Sequence, residues 1–257
     1  MRSILITGAD GMVGRNLTKF YHQRGTVVTP FEGDCTKASE WEKYSKLKYH
    51  AIIHLAAYPG VRTSFEMPDR YYYNNTMCME NFLVYGVHMT DKLLYASSSN
   101  AKEWWLNPYA GTKKMCELMA RRYKAVGMRF HTVFPGRDDM LFRKLERGDV
   151  TYVNKHHTRD FIHVRDLCEA IDTIVKNFDS VYNTTLKPGT HSPGVVDIGT
   201  GHTTPVPEVA KIMGYTGEYV ETEAKGERES TRADVEYLLK LGWTPKRNIL
   251  DVNCHTE

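Results

Sequence analysis

A short apolar run, Ser3-Ile4-Leu5-Ile6-Thr7, passes directly into Gly8-Ala9-Asp10-Gly11-Met12-Val13-Gly14, and this junction restricts the fold more than any other stretch. The run reads as a buried strand. Residues 11–25 then place Met12, Val13, Leu17, Phe20 and Tyr21 at helical spacing before a closing glycine. Strand, glycine turn and helix in this order let main chain approach a pyrophosphate and aim free helix N–H groups at its charge. The spacing assigns Gly8, Asp10, Gly11, Met12, Val13 and Gly14 to a dinucleotide-binding turn, with Gly14 letting the helix lie close to the strand.

The same rhythm continues. Strands at 26–31, 51–57, 92–99 and 129–134 alternate with helices at 69–86 and 109–126. Parallel strands need crossover connections, so this alternation predicts an α/β fold, a Rossmann-type doubly wound parallel sheet with helices on both faces. Past Pro135 the rhythm loosens into a short helix near 140–147, a strand at 151–154, a helix at 165–177, a Pro/Gly-bearing loop at 187–194 and a strand at 195–199. A last amphipathic helix is expected over 232–243, stopped by Gly242. The expected organisation is a dinucleotide-binding domain, residues 1–135, and a smaller C-terminal substrate lobe, 136–257, from which segments near 160–200 return to the first domain.

Composition narrows the partners. A net charge of +3 without a basic run argues against nucleic acid, and no stretch approaches the roughly 20 apolar residues of a membrane span. The N-terminus reaches glycine at position 8, too early for a signal peptide. Cysteines 35, 78, 116, 168 and 254 are odd in number and include no C-x-x-C, which suits reduced thiols in a cytoplasm. Histidines 156 and 157 lack the spacing of a metal site, so no metal is expected.

Chemistry enters at Ser97-Ser98-Ser99 and, ten residues beyond, at Tyr109 and Lys113. Tyr109 and Lys113 stand i and i+4 on a helix and share one face. An ammonium beside a phenol favours the phenolate, which can take a proton from a hydroxyl while hydride leaves the same carbon. The run Tyr71-Tyr72-Tyr73 reads as helix packing rather than as a base-stacking platform.

Seven blocks carry a family resemblance over nearly the whole chain: TGADGMVG (7–14), HLAA (54–57), GVRTSFEMPDRY (60–71), YASSS (95–99), PYAGTKK (108–114), RDFIHVRD (159–166) and LGWTP (241–245). In this order they resemble the extended short-chain dehydrogenase/reductases, the group of NAD-dependent nucleotide-sugar epimerases and dehydratases. GVRTSFEMP and Gly136-Arg137-Asp138-Asp139-Met140 resemble the nucleotide-uronic-acid 4-epimerases in particular. The resemblance implies NAD as cofactor, with NADP also admissible because the second strand ends Thr29-Pro30-Phe31 rather than in an acid. It implies that Asp34 and Cys35 lie near the adenine, that Leu55, Ala56 and Ala57 flank the cofactor, and that Lys113 holds the nicotinamide ribose. It makes Ser99, Tyr109 and Lys113 the catalytic set. It puts Arg62, Ser99, Thr132, Arg137 and Arg159 against a nucleotide-sugar substrate, Arg159 on its diphosphate and Arg137 on a sugar carboxylate. For Arg159 the competing reading is an ion pair with Asp160 or Asp166, and for Arg137 a solvated loop position. A homodimer through helices 69–86 and 109–126 is also implied.

The residues after Ser99 depart from the family. Its Val-Tyr-Gly is replaced by Lys102-Glu103-Trp104, and the loop to Tyr109 is short, leaving Trp104 and Trp105 as candidate cover for the sugar. Dehydratases resemble one another in an Asp-Glu pair at the places of Asn100 and Ala101, decarboxylases in a glutamate and epimerase-reductases in a cysteine at the latter. An amide and a methyl here leave C4 epimerisation as the expected reaction. The competing readings are a nucleotide-sugar reductase or dehydratase, and a non-catalytic nucleotide-binding module.

Overall fold

A computed structural model of the chain describes residues 2–185, 194–221 and 225–251. The first half runs β1 (Ser3–Thr7), α1 (Met12–His22), β2 (Val27–Pro30), α2 (Ala38–Glu42), β3 (Ala51–His54), α3 (Val61–Glu66), α4 (Pro68–Gly86) and β4 (Leu93–Ser98). A 3-10 segment (Ser99–Leu106) leads into α5 (Pro108–Ala120) and β5 (Ala125–Phe130). The second half holds β6 (Thr132–Phe134), α6 (Leu141–Arg147), β7 (Tyr152–Asn154), β8 (Thr158–Arg159), β9 (Phe161–His163), α7 (Val164–Lys176) and α8 (Phe178–Thr185). It ends with β10 (Val195–Ile198), β11 (Thr204–Pro205), α9 (Val206–Ile212), β12 (Glu218–Val220) and α10 (Glu236–Lys240).

Six parallel strands form the central sheet in the order β10-β5-β4-β3-β1-β2. Strand alternation sends Ile4 and Ile6 into one core and Leu5 into the other. Ile4 and Ile6 meet Leu17 and Tyr21 of α1 and Leu167, Ile171 and Ile174 of α7. Leu5 meets Trp41 of α2 and Met79, Phe82 and Leu83 of α4. Each fully buried aliphatic side chain stabilises the fold by roughly 1.5–3 kcal/mol, so covering both faces fixes the sheet's position between two helical layers. Strand order reverses between β1 and β3, and a crevice opens beyond their carboxyl ends. A third core, with Phe134, Phe142, Leu145, Val153, Phe161 and Val209, gathers β6, β7, β9, α6 and α9.

Three expectations are corrected. The helix expected over 109–126 is Pro108–Ala120, because Ala125-Val126-Gly127-Met128 is wholly buried as a strand between β4 and β10. Gly127 belongs to that strand: a Cβ there would stand 2.5 Å from the Tyr95 hydroxyl. The strand expected over 129–134 is two, since chain past Phe130 leaves the main sheet and β6 pairs with β9. The final helix is confined to Glu236–Lys240, because Ala233 and Asp234 give their N–H groups to Asp160 and Asp197 instead of starting a helix. Residues 187–193 of the expected loop lie outside the described residues.

Candidate functional site

The turn after β1 is built around close contacts that only glycine tolerates. Gly8 has φ +66°, and a Cβ on it would lie 2.8 Å from the Ala56 nitrogen; one on Gly14 would lie 2.1 Å from the Gly8 oxygen. The Gly11 amide donates to the Gly8 carbonyl at 3.0 Å, and α1 begins at Met12 with no acidic residue in its first turn. This cradle, with free helix N–H groups and a positive dipole end, fits a dinucleotide pyrophosphate. Thr7 ties the neighbouring loop to it. Its Oγ1 accepts from the Leu55 and Ala56 amides, each at 3.2 Å, and lies 2.7 Å from His54 Nδ1. The hydroxyl proton is left for the imidazole. Burial, and next the charge of Lys113, pull the His54 pKa from 6.5 down to about 3, so this ring is neutral.

A cleft of about 610 Å³ opens beside the turn. Met12, Val13, Leu55 and Ala57 line one side; Ser99, Tyr109 and Lys113 line another; Arg62, Thr132, Arg137 and Arg159 complete the set. Gly8, Asp10, Gly11 and Gly14, in the turn and the start of α1, and Ala56, in the loop after β3, fall outside that lining. Lys113 is buried, and its Nζ donates to the Ala96 carbonyl at 2.9 Å while lying 5.9 Å from the centre of the Tyr109 ring. Asn107 caps α5 by accepting from the Ala110 amide at 2.7 Å, and Pro108 occupies the first turn, so Tyr109 and Lys113 are carried by a fixed helix start. Of the tyrosine run, Tyr71 is buried and packs edge-on to Tyr109, whereas Tyr72 and Tyr73 are exposed.

Asp34 and Cys35 fall outside the cleft lining. The Asp34 carboxylate accepts from the Thr36 amide and hydroxyl, and these bonds hold its pKa below the usual carboxylate range. Cys35 is buried, its carbonyl accepting from Trp41 and Asn81. Phe31, standing where an acid would meet a ribose, stacks against Tyr44 at 4.8 Å.

The arginines are pre-engaged. Arg137 forms a two-pronged pair with Asp139, both contacts 2.9 Å. Arg159 donates to the carbonyls of Thr158 and Glu229 and lies 3.6 Å from the Glu227 carboxylate. The acids expected as its structural partners are occupied elsewhere. Asp160 accepts from Thr200, Gly201 and Ala233, and Asp166 from Arg247 and the Lys246 amide. Arg62 also reaches Glu227, at 3.1 Å.

The short stretch after Ser99 is a kinked 3-10 segment with Glu103 outside helical angles. Trp104 and Trp105 do not cover the cleft: they are 50% and 65% exposed and lie outside its lining. Lys102 instead pairs with buried Asp197. The C-terminal segment does the covering. Arg228 donates to Glu103 at 2.7 Å and to the Ser99 carbonyl at 3.0 Å, and Asn107 donates to the Gly226 carbonyl at 2.9 Å. Sequence reasoning missed His54, Glu227 and Arg228. For the last two a signal existed, an isolated acid–base dipeptide in a Gly-Glu-Arg-Glu run, but nothing in sequence tied it to Ser99.

The model of the NAD dependent epimerase/dehydratase family matches residues 4–186. The chain is 30% identical to protein CapI of Staphylococcus aureus, over 67% of this chain and 69% of that protein. It is 34% identical to a probable UDP-glucuronate 4-epimerase of Rhizobium meliloti, over 65% of this chain and 66% of that protein. In structure it is similar to MoeE5 in complex with UDP-glucose and NAD, with a TM-score of 0.79 at 23% identity, covering 98% of this chain and 96% of that one. At that identity the likeness carries the fold.

Proposed function

Since the chain belongs to the NAD-dependent epimerase/dehydratase family, we propose that its cleft epimerises a UDP-linked hexose or hexuronic acid at C4. The observation that carries this reading lies at the two positions after Ser99. Ala101 is 1% exposed and offers a methyl group, and the Asn100 amide donates to Ser98 Oγ at 3.3 Å. Neither can act as the second acid or base that loss of water or of carbon dioxide requires. Ser99, Tyr109 and Lys113 remain, and they suffice to move one proton at one carbon.

In this reading NAD held in the cleft would supply a reversible hydride acceptor for C4. The glycine turn and the start of α1 hold the pyrophosphate, and Met12, Val13, Leu55 and Ala57 line the cofactor's path. Lys113, 5.9 Å from the centre of the Tyr109 ring, holds the ribose. Tyr109 takes the C4 hydroxyl proton as the ketone forms and, once the keto-sugar has turned its other face to the cofactor, returns that proton to the same oxygen, with Ser99 as the oxygen's hydrogen-bond partner. Thr132 contacts the substrate, and Arg159 and Arg62 meet the diphosphate. Arg137 meets a uronate carboxylate by exchanging it for Asp139, whose two-pronged grip has the geometry such a carboxylate needs. The relatives named for UDP-glucuronate and the neighbour bound to UDP-glucose support this substrate class.

The test is to incubate the protein with catalytic NAD and either UDP-glucose or UDP-glucuronic acid, then follow products by NMR. The C4 epimer is expected, with no net NADH. A product dehydrated across C5–C6, or stoichiometric consumption of NADPH, contradicts the reading.

A further inference from the structure

Lys102 belongs to the stretch that departs from the family's Val-Tyr-Gly, and it stands one turn of 3-10 helix beyond Ser99. Its Nζ donates to the carboxylate of Asp197 in β10, a side chain only 6% exposed. Neither residue lines the cleft. Both line a second cavity, of about 330 Å³, bordered by β10, the end of α8 and α10. We propose that Lys102 and Asp197 are positioning residues for the chemistry in the cleft, their ion pair fastening the start of the 3-10 segment to the sheet and so fixing Ser99 against the substrate oxygen.

Lys102 is the cation in direct contact with Asp197. Arg129 is committed to Glu117 through two contacts of 2.7 Å and lies 4.0 Å from the Asp197 carboxylate. His131 Nε2 stands 3.6 Å away, and the Asp234 amide donates at 3.0 Å. Burial works against the charge on Asp197, yet the nearby His131 and Lys102 hold its pKa below the usual carboxylate range. A buried carboxylate left without its cation is strongly destabilising, so the ammonium, and the segment that carries it, is held in place. The anchor itself is rigid, because β10 pairs with β5 along Val195–Ile198. On the other side of Ser99 the sheet does the holding. Ser97 and Ser98 pair with Arg129 and Phe130 of β5, and the Ser97 hydroxyl donates to Glu117 at 2.7 Å. Ser99 is therefore clamped between β4 before it and the Lys102 tether after it. Such clamping matters for rate, since misplacing a reacting group by about 1 Å can lower it about 100-fold.

This inference rests on the assignment of Ser99 to C4 epimerisation, and the experiment separates the two. With catalytic NAD and UDP-glucose or UDP-glucuronic acid, kcat and KM are measured for wild type, Ser99→Ala, Lys102→Met, Lys102→Arg and the double variant Lys102→Met/Asp197→Asn. Stability is measured alongside by denaturant titration. Lys102→Met should lower kcat about 10–100-fold with little change in KM, and should lose stability because Asp197 keeps its charge without its cation. Lys102→Arg should restore most of kcat. The double variant removes both charges and should recover stability while kcat stays low, because the tether is still missing. A double variant whose kcat recovers along with its stability, or a Lys102→Met enzyme with the wild-type kcat, overturns the positioning role and leaves Ser99 standing. An unchanged kcat in Ser99→Ala, or a wild type that turns over neither sugar nucleotide, overturns the reading of the cleft and the role of Lys102 with it.

Discussion

Tyr109 and Lys113 share a helix face but differ in what they hold. Lys113 is buried on the Ala96 carbonyl, whereas Tyr109 presents its ring to the cleft. Tyr109→Phe should therefore lower kcat by about 10²–10⁴-fold, the usual worth of a positioned acid–base group, and leave NAD affinity within about twofold. Lys113→Ala should damage both, which steady-state kinetics and cofactor titration would separate; an active Tyr109→Phe would remove the assigned base. At the glycine turn, Gly11→Val should weaken NAD binding by calorimetry, since a Cβ at Gly11 would stand 3.2 Å from the Gly8 carbonyl and the valine methyls would crowd the turn where the pyrophosphate is placed. The buried histidine gives a pH dependence. His54 is neutral in the folded chain, with its pKa moved from 6.5 to about 3, so the unfolded chain binds the extra proton. That contribution is complete above pH 6.5 and is lost as pH falls from 6.5 towards 3, the same direction as for His157. The denaturation midpoint should fall steadily between about pH 7 and about pH 4.5, less steeply in His54→Gln. A wild-type midpoint flat over that range would contradict the assignment.

Among the elements, the 3-10 segment after Ser99 is held by residues far along the chain. Arg228→Ala removes two charge-assisted hydrogen bonds and should cost about 2 kcal/mol of stability by denaturant titration, with a fall in kcat if the Ser99 backbone shifts. An unchanged stability would mean that the segment stands without this tether. The same contrast explains which features were readable in the sequence. β1, α1, β3, α4 and β4 follow apolar periodicity, and the glycine turn and Tyr109/Lys113 follow local spacing, so each was visible in a short window. Boundaries failed where distant groups intervened. Val126-Gly127-Met128 carries no local sign that β4 and β10 will flank it, and Ala233 is kept out of a helix by Asp160, 73 residues away. Glu227 and Arg228 went unseen for the same reason: their partners Arg62, Ser99 and Glu103 come from the other half of the chain.

In the whole molecule, one sheet and two helical layers bring the glycine turn, the Tyr109 helix and the Arg159 strand around a single cleft. None of the described helices is long and apolar enough to cross a membrane. The outer faces of α4 and α5 expose Tyr73, Val84, Met115 and Leu118, and we propose that these helices, with α5 bounded as Pro108–Ala120, pair two copies of the chain. Leu118→Glu should then shift the sedimenting species from dimer to monomer; a wild-type monomer would contradict this. Everything proposed for the cleft turns on one event, the departure of hydride from C4 and its return to the same carbon. UDP-glucose or UDP-glucuronic acid carrying deuterium at C4, incubated with the protein and catalytic NAD and read by NMR, reports that event. The expected product is the C4 epimer with deuterium still on C4; an epimer that has lost the label, or a product that has lost water, would overturn the mechanism.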